Sequence, residues 1–158
     1  MSSFTVRRAR ANDLQQLWAI EEGSFNHPYS RAVIERLMND YPEHFLVAEQ
    51  EGKIVGYCVA SAFGDNAHLI SIAVMSGHRR IGMGTALLQG VIDGLIERGV
   101  QILRLEVKPQ NNEAISLYLK FGFERVAVVP RYYQDGSAAL KMQLRLGDKS
   151  KSAGWAVS

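Results

Sequence analysis

A chain of 158 residues, 47% hydrophobic and 22% charged, is long enough for one domain with its own core and has the balance of an ordinary soluble globular protein. With 18 Lys and Arg against 16 Asp and Glu, the net charge is +2, too weak to mark a nucleic-acid surface. The single cysteine, Cys58, excludes an intrachain disulfide and favours a reducing, cytoplasmic setting, and no apolar run approaches the roughly 18 residues of a membrane span.

Phe4–Arg8 alternates as a short strand. Asn12 or Asp13 caps a helix to about Glu22, with Leu14, Leu17 and Trp18 on one face. After a break containing Asn26-His27-Pro28-Tyr29, Ser30 caps a second helix to about Asn39, with Val33, Ile34, Leu37 and Met38 inward. Phe45–Glu49 and Ile54–Ala62 form a hairpin about Glu51-Gly52, and Cys58 in the apolar run of the second strand reads as a buried, inert thiol. A turn at Gly64-Asp65-Asn66 leads to a strand over His68–Met75. From Gly82 to Arg98, Met83, Leu87, Leu88, Val91, Ile92, Leu95 and Ile96 recur at helical spacing, and Gly99 stops the helix. Ile102–Val107 reads as a strand buried on both faces, Asn111–Phe121 as a helix stopped at Gly122, and Phe123–Val129 and Ala138–Leu146 as closing strands. The order βααβββαβαββ mixes hairpins with one crossover helix, which predicts an α/β fold with one mixed, mostly antiparallel seven-stranded sheet and helices on both faces. Residues 147–158 read as a polar tail outside a single domain over residues 1–146.

The segment Arg79-Arg80-Ile81-Gly82-Met83-Gly84 stands between a strand and a helix. Glycines at a helix mouth allow close backbone approach, the first amides of the helix lack partners within it, and the helix dipole and two arginines add positive charge. These are the properties of a phosphate or pyrophosphate site. A P-loop would need Gly-x-x-x-x-Gly-Lys-Ser/Thr, which is absent from the sequence. A dinucleotide fingerprint would need a third glycine where Leu87 stands.

What remains, Arg79-x-x-Gly82-x-Gly84 after a strand, resembles the pyrophosphate loop of the GNAT superfamily of N-acetyltransferases. Leu105-Glu106-Val107, Asn111, Ala114-Ile115, Leu117-Tyr118 and Phe121-Gly122-Phe123 resemble that superfamily's late strand–helix–strand unit, so the likeness extends from about Phe4 to Leu146. Ser71-Ile72-Ala73-Val74, Leu105-Glu106-Val107 and Arg131-Tyr132-Tyr133 are most similar to the protein N-terminal acetyltransferases: the bacterial type that modifies the N-terminal alanine of a ribosomal protein, and its archaeal relatives.

The resemblance implies acetyl-CoA as cosubstrate and a protein or peptide N-terminus, such as that of a ribosomal protein, as acceptor. It implies that the amides of Arg79, Arg80, Ile81, Gly82, Met83, Gly84 and Thr85 hold the pyrophosphate. The strand backbone over Ile72, Ala73 and Val74 pairs with the pantetheine arm, which enters a gap between the fourth and fifth strands. Val74 N–H polarises the thioester carbonyl. Asn111 binds near the thiol end, and Tyr118 protonates the leaving thiolate. Phe25, Pro28 and Tyr29 resemble the pocket for the substrate's first side chain, and Tyr132 and Tyr133 the pair that covers the peptide backbone.

The chemistry independently asks for a base, because an amine is inert until it loses its proton. Glu106, inside the apolar frame of its strand, is that base or else a surface or salt-bridged carboxylate. His68, at a position where some N-terminal acetyltransferases carry a second proton acceptor, is such an acceptor by resemblance or else a solvated turn residue, and Tyr118 is an acid or a core phenol. Tyr29 and the Tyr132-Tyr133 pair are substrate contacts or local packing. In one place the chain departs from its relatives: Asp135-Gly136-Ser137-Ala138-Ala139 lacks the two acidic residues that usually follow Asp-Gly. No Cys/His cluster calls for a metal. Direct transfer to an N-terminal α-amine is the leading function. The same chemistry on lysine side chains or small-molecule amines is the alternative, and a CoA-binding module without catalysis the third reading, disfavoured by Glu106 and Tyr118. No nucleic-acid or membrane partner is expected.

Overall fold

The computed structural model describes residues 3–79 and 82–147. The strands are β1 (Thr5–Arg8), β2 (Phe45–Gln50), β3 (Lys53–Phe63), β4 (Asn66–Val74), β5 (Ile102–Val107), β6 (Glu124–Val129) and β7 (Ala139–Arg145). The helices are α1 (Leu14–Ser24), α2 (Arg31–Asp40), α3 (Met83–Arg98) and α4 (Asn112–Phe121). The seven strands hydrogen-bond in the order β1-β2-β3-β4-β5-β7-β6. β4 and β5, linked by the crossover helix α3, are parallel, and β1/β2, β2/β3, β5/β7 and β6/β7 are antiparallel. This is the α/β sheet that the element order predicts. Among the described residues the chain divides into two compact units, residues 3–61 with 70–79 and 82–95, and residues 62–69 with 96–147.

In the first unit the β2–β3 hairpin sorts side chains by alternation. Phe45 and Val47, opposite Val59 and Tyr57, join Leu14, Leu17 and Ile20 of α1 and Ile34 of α2 in one apolar core. Leu46 and Gly56 belong to the other face, toward α3: a Cβ at Gly90 would lie 2.7 Å from Leu46 Cδ1, and one at Gly56 3.2 Å from Leu87 Cδ1. The helices of this unit therefore cover both faces of its strands. The turn residues Glu51 and Gly52 have φ of 53° and 80°, the pair of left-handed conformations that matches a two-residue hairpin to strand twist. Cys58 is fully buried, and that burial pushes its thiol far above the ordinary range, as expected of an inert core cysteine.

Ser30 caps α2, its hydroxyl accepting the Val33 N–H at 3.2 Å. Asp13 occupies the cap position of α1, but its carboxylate turns back. It accepts the Arg10 N–H at 2.8 Å and the forked Arg7 guanidinium at 2.9 and 3.1 Å. Arg7 also reaches Glu49 at 2.8 Å, so the charge-assisted fork and the Arg10 N–H at the start of the 3-10 turn over Ala11–Asp13, rather than the first amides of α1, take the Asp13 side chain. Val33 on α2 and Ile96 on α3, expected inside, are exposed.

In the second unit, β5 and β7 align Leu103 with Leu144, Leu105 with Met142 and Val107 with Leu140, all buried. The strand is not buried on both faces as its apolar run suggests. Arg104 is exposed and Glu106 half-buried, so β5 alternates like a strand with one packed face. Ile115, Tyr118 and Phe121 form the buried stripe of α4, with the Tyr118 ring 5.5 Å from that of Phe123.

Candidate active site

The N-terminal end of α3, expected to bind an anion, lies in the first unit. The helix starts at Met83, and its first described rung is Ala86 N–H to Gly82 C=O at 3.0 Å. The amides of Met83, Gly84 and Thr85 precede that rung and so have no acceptor within the helix. Gly82 has φ of 82°, with nothing within 4 Å of where a Cβ would stand. Glycine is needed there for its backbone conformation, and the open space leaves room for a ligand. Arg79 turns back along the chain, its Nε donating to Val74 C=O at 2.9 Å, which ties the loop to the end of β4. Arg80 and Ile81, also expected in the loop, lie outside the described residues. Ile72, Ala73 and Val74 are the last residues of β4. Phe25, Pro28 and Tyr29 lie on the α1–α2 segment, exposed.

The residues expected to handle protons lie in the second unit. His68 on β4 and Glu106 on β5 come together across the parallel pair, His68 Nε2 to Glu106 Oε1 at 2.6 Å. The rungs explain the meeting: His68 stands opposite Arg104, and Glu106, two residues on, shares its face of β5. Glu106 is 15% exposed and His68 45%, so the carboxylate is sheltered while the imidazole reaches solvent. On β7, Lys141 stands opposite Glu106. Asn111 is the N-cap of α4, with Oδ1 accepting the Ala114 N–H at 3.2 Å. Tyr118 is buried rather than projecting from the helix stripe.

Tyr132 and Tyr133 stack edge to face, with centroids 5.0 Å apart, in the loop between β6 and β7. Both amides donate to Ser137 C=O, at 3.0 and 3.1 Å. Ser137 also donates to Asp135 Oδ1 from its amide at 2.9 Å and from its hydroxyl at 2.5 Å. The residue that replaces an expected acidic side chain is thus the organiser of this loop. Those bonds from Ser137, then Lys108 at 3.2 Å, hold the Asp135 carboxyl well below the usual carboxylate range. Lys108 Nζ also lies 5.4 Å from the centre of the Tyr133 ring, within cation–π reach.

Two groups escaped the sequence. Lys108 gave no signal, because its partner Asp135 is 27 residues away and meets it only through the strand pairing. Glu21 did carry one: it falls four residues after Leu17 and seven after Leu14, the inward stripe of α1. It is 2% exposed. A carboxylate at a core position announces a polar network. Among the described residues no group of three or more His, Cys, Asp or Glu is arranged to hold a metal ion. Among them, too, no helix is long and apolar enough to cross a membrane.

The profile of the Acetyltransferase (GNAT) family matches residues 12–123. The chain belongs to that family, and its enzyme class is that of an N-acetyltransferase using acetyl-CoA. It is 34% identical over 152 residues to an N-alpha-acetyltransferase of Sulfurisphaera tokodaii, covering 88% of this chain and 91% of the relative. It is 33% identical over 129 residues to the ribosomal protein bS18-alanine N-acetyltransferase of Escherichia coli K12, covering 82% and 86%. Among solved structures, Ard1 from Thermoplasma volcanium superposes with a TM-score of 0.86 at 33% identity, covering 90% of this chain and 97% of that one.

Proposed function

We propose that this protein acetylates the α-amino group of protein N-termini, a ribosomal protein among the candidate substrates. The observation that carries the mechanism is the sheltered Glu106 carboxylate hydrogen-bonded to His68 at 2.6 Å. An N-terminal ammonium must lose a proton before its nitrogen can attack. Glu106 accepts that proton, directly or through a water, and His68 beside it leads outward as a second acceptor. Acetyl-CoA, when bound, supplies the acetyl group as a thioester. The amides of Met83 to Thr85 and the α3 dipole hold its pyrophosphate, with Arg79, Arg80 and Ile81 completing the loop. The backbone of Ile72, Ala73 and Val74 would align its arm, and Val74 N–H would polarise the thioester carbonyl. Asn111 contacts the thiol end, and Tyr118 gives its phenolic proton to the departing thiolate. From the ammonium, nitrogen gives up two protons, one to Glu106 before attack and one as the adduct collapses; sulfur takes one from Tyr118, whose phenolate is reprotonated from solvent, and the remaining proton is released to water. Phe25, Pro28 and Tyr29 receive the first side chain of the substrate, and Tyr132 and Tyr133 its backbone.

Support comes from the names carried by similar chains, the N-alpha-acetyltransferase and the ribosomal-protein enzyme, at 33–34% identity across most of each chain. A panel of peptides with free N-termini, set against polyamines and aminoglycosides and read by CoA release, tests the reading. Turnover on peptides is expected. Strong turnover on small amines with none on peptides would overturn it.

A further inference from the structure

The reaction above makes no use of Glu21, although its carboxylate is the most enclosed acidic group of the first unit's core. Burying a carboxylate is costly unless donors surround it. Here three donors converge, each from a different segment. The Tyr29 N–H, on the way from α1 to α2, reaches Oε2 at 2.9 Å. The Tyr57 hydroxyl of β3 bonds to Oε1, and the Ser71 hydroxyl of β4 lies 3.5 Å from the same oxygen and 3.0 Å from the Tyr57 oxygen. Burial, and then the charge of Glu21, pushes the Tyr57 phenol far above its ordinary range, so it keeps its proton and donates it.

The two oxygens of Glu21 thus do different work. Oε1 is held by side chains of the sheet, and Oε2 holds the backbone of an exposed segment. That segment carries the aromatic rings Phe25 and Tyr29, both exposed. A side chain can discriminate between substrates only if its own backbone is held in place. We propose that Glu21 is a positioning residue for first-residue selectivity: it anchors the backbone of Tyr29 to the sheet and so fixes the shape of the surface that meets the substrate's first side chain. The proposal rests on the N-terminal reading above.

Glutamine at this position keeps the anchor. Its carbonyl accepts the Tyr29 N–H, and its amide donates to the Tyr57 and Ser71 oxygens, whose hydroxyls are free to turn. Alanine removes the anchor and leaves Tyr57 and Ser71 to bond each other. The test is a set of peptides identical except for a first residue of Ala, Ser, Met or Glu, with kcat/KM measured for wild type, Glu21→Gln and Glu21→Ala. The readout is the ratio between the best and second-best peptide, which does not depend on the fraction of enzyme folded. The expected result is a ratio kept within twofold by Gln and reduced at least fivefold by Ala, with the acetyl-CoA KM moving less than twofold in both. A ratio unchanged in Glu21→Ala, or lost equally in both variants, overturns the proposal. A wild-type enzyme that acetylates no peptide removes the N-terminal reading and this proposal with it. Hydrogen exchange on the unaltered protein gives a check that needs no variant to fold. The Tyr29 amide should exchange at least tenfold more slowly than those of Asn26 and His27 after correction for intrinsic rates, and equal rates would refute the anchor.

Discussion

Replacing Glu106 with Gln is the sharpest perturbation of the proposed chemistry. The substitution is nearly isosteric, and the amide oxygen still accepts from a His68 Nε2–H at the present 2.6 Å, so the β4–β5 contact and the fold are retained. What disappears is a sheltered group able to take a proton. Positioned general bases contribute about 10²–10⁴ in rate, or about 3–5 kcal/mol of barrier. Because His68 stays in contact and reaches solvent, it takes over part of the role, which places the expected loss near the lower end, about a hundredfold in kcat. In Glu106→Gln with His68→Ala the loss should deepen by roughly another tenfold. The affinity for acetyl-CoA should change less than threefold, since the proposed pyrophosphate contacts are amides of α3. Steady-state CoA release on a peptide substrate, with calorimetric titration of acetyl-CoA and a melting curve for each variant, separates these terms. A loss below fivefold, or an equal loss in rate and cofactor affinity, would make Glu106 a structural residue and refute the reasoning.

The Arg7 fork makes an acid-sensitive prediction. Burial alone would raise the Asp13 carboxyl, but the hydrogen bonds from Arg7 and the Arg10 amide outweigh it and hold the group below its usual value. A depressed carboxylate contributes stability that is complete above the unfolded pKa near about 4 and is lost as pH falls through the folded value. Asp13→Asn should therefore cost about 1.5–3 kcal/mol at pH 7, and its gap in Tm from wild type should narrow steadily below pH 4. A gap of constant size down to pH 2 would show that the pair contributes nothing. At the mouth of α3, Gly82→Ala meets no steric obstacle but forces a side chain into φ of 82°. The left-handed penalty of about 1–2 kcal/mol should appear as a roughly tenfold weaker acetyl-CoA affinity, and unchanged binding would remove Gly82 from the phosphate site.

The sequence carried the elements well because each had a local cause. Ser30 and Asn111 cap helices with their own side chains, and Leu87, Leu88, Val91, Ile92 and Leu95 repeat at helical period and are all buried. What it missed was set by tertiary competition. Asp13 had the chemistry of a helix cap, and Arg7 drew its carboxylate elsewhere. β5 looked apolar enough for two buried faces, yet a single face is packed, which is why Glu106 is sheltered without being sealed. Val33 and Ile96 fit a helical stripe that the core was too narrow to cover in full. His68 and Glu106 were each legible as proton acceptors, but not as partners, because 38 residues separate them and only strand register brings them together. Glu21 was readable in principle from its place on the α1 stripe, and its three donors were not.

The central claim is the identity of the acceptor amine. It is tested most directly by one peptide that carries both a free α-amine and an internal lysine, incubated with the enzyme and acetyl-CoA and mapped by fragmentation mass spectrometry. The account predicts the acetyl group on the α-nitrogen and no product from the same peptide with a blocked N-terminus. Acetylation of the lysine in the blocked peptide at a comparable rate would contradict it.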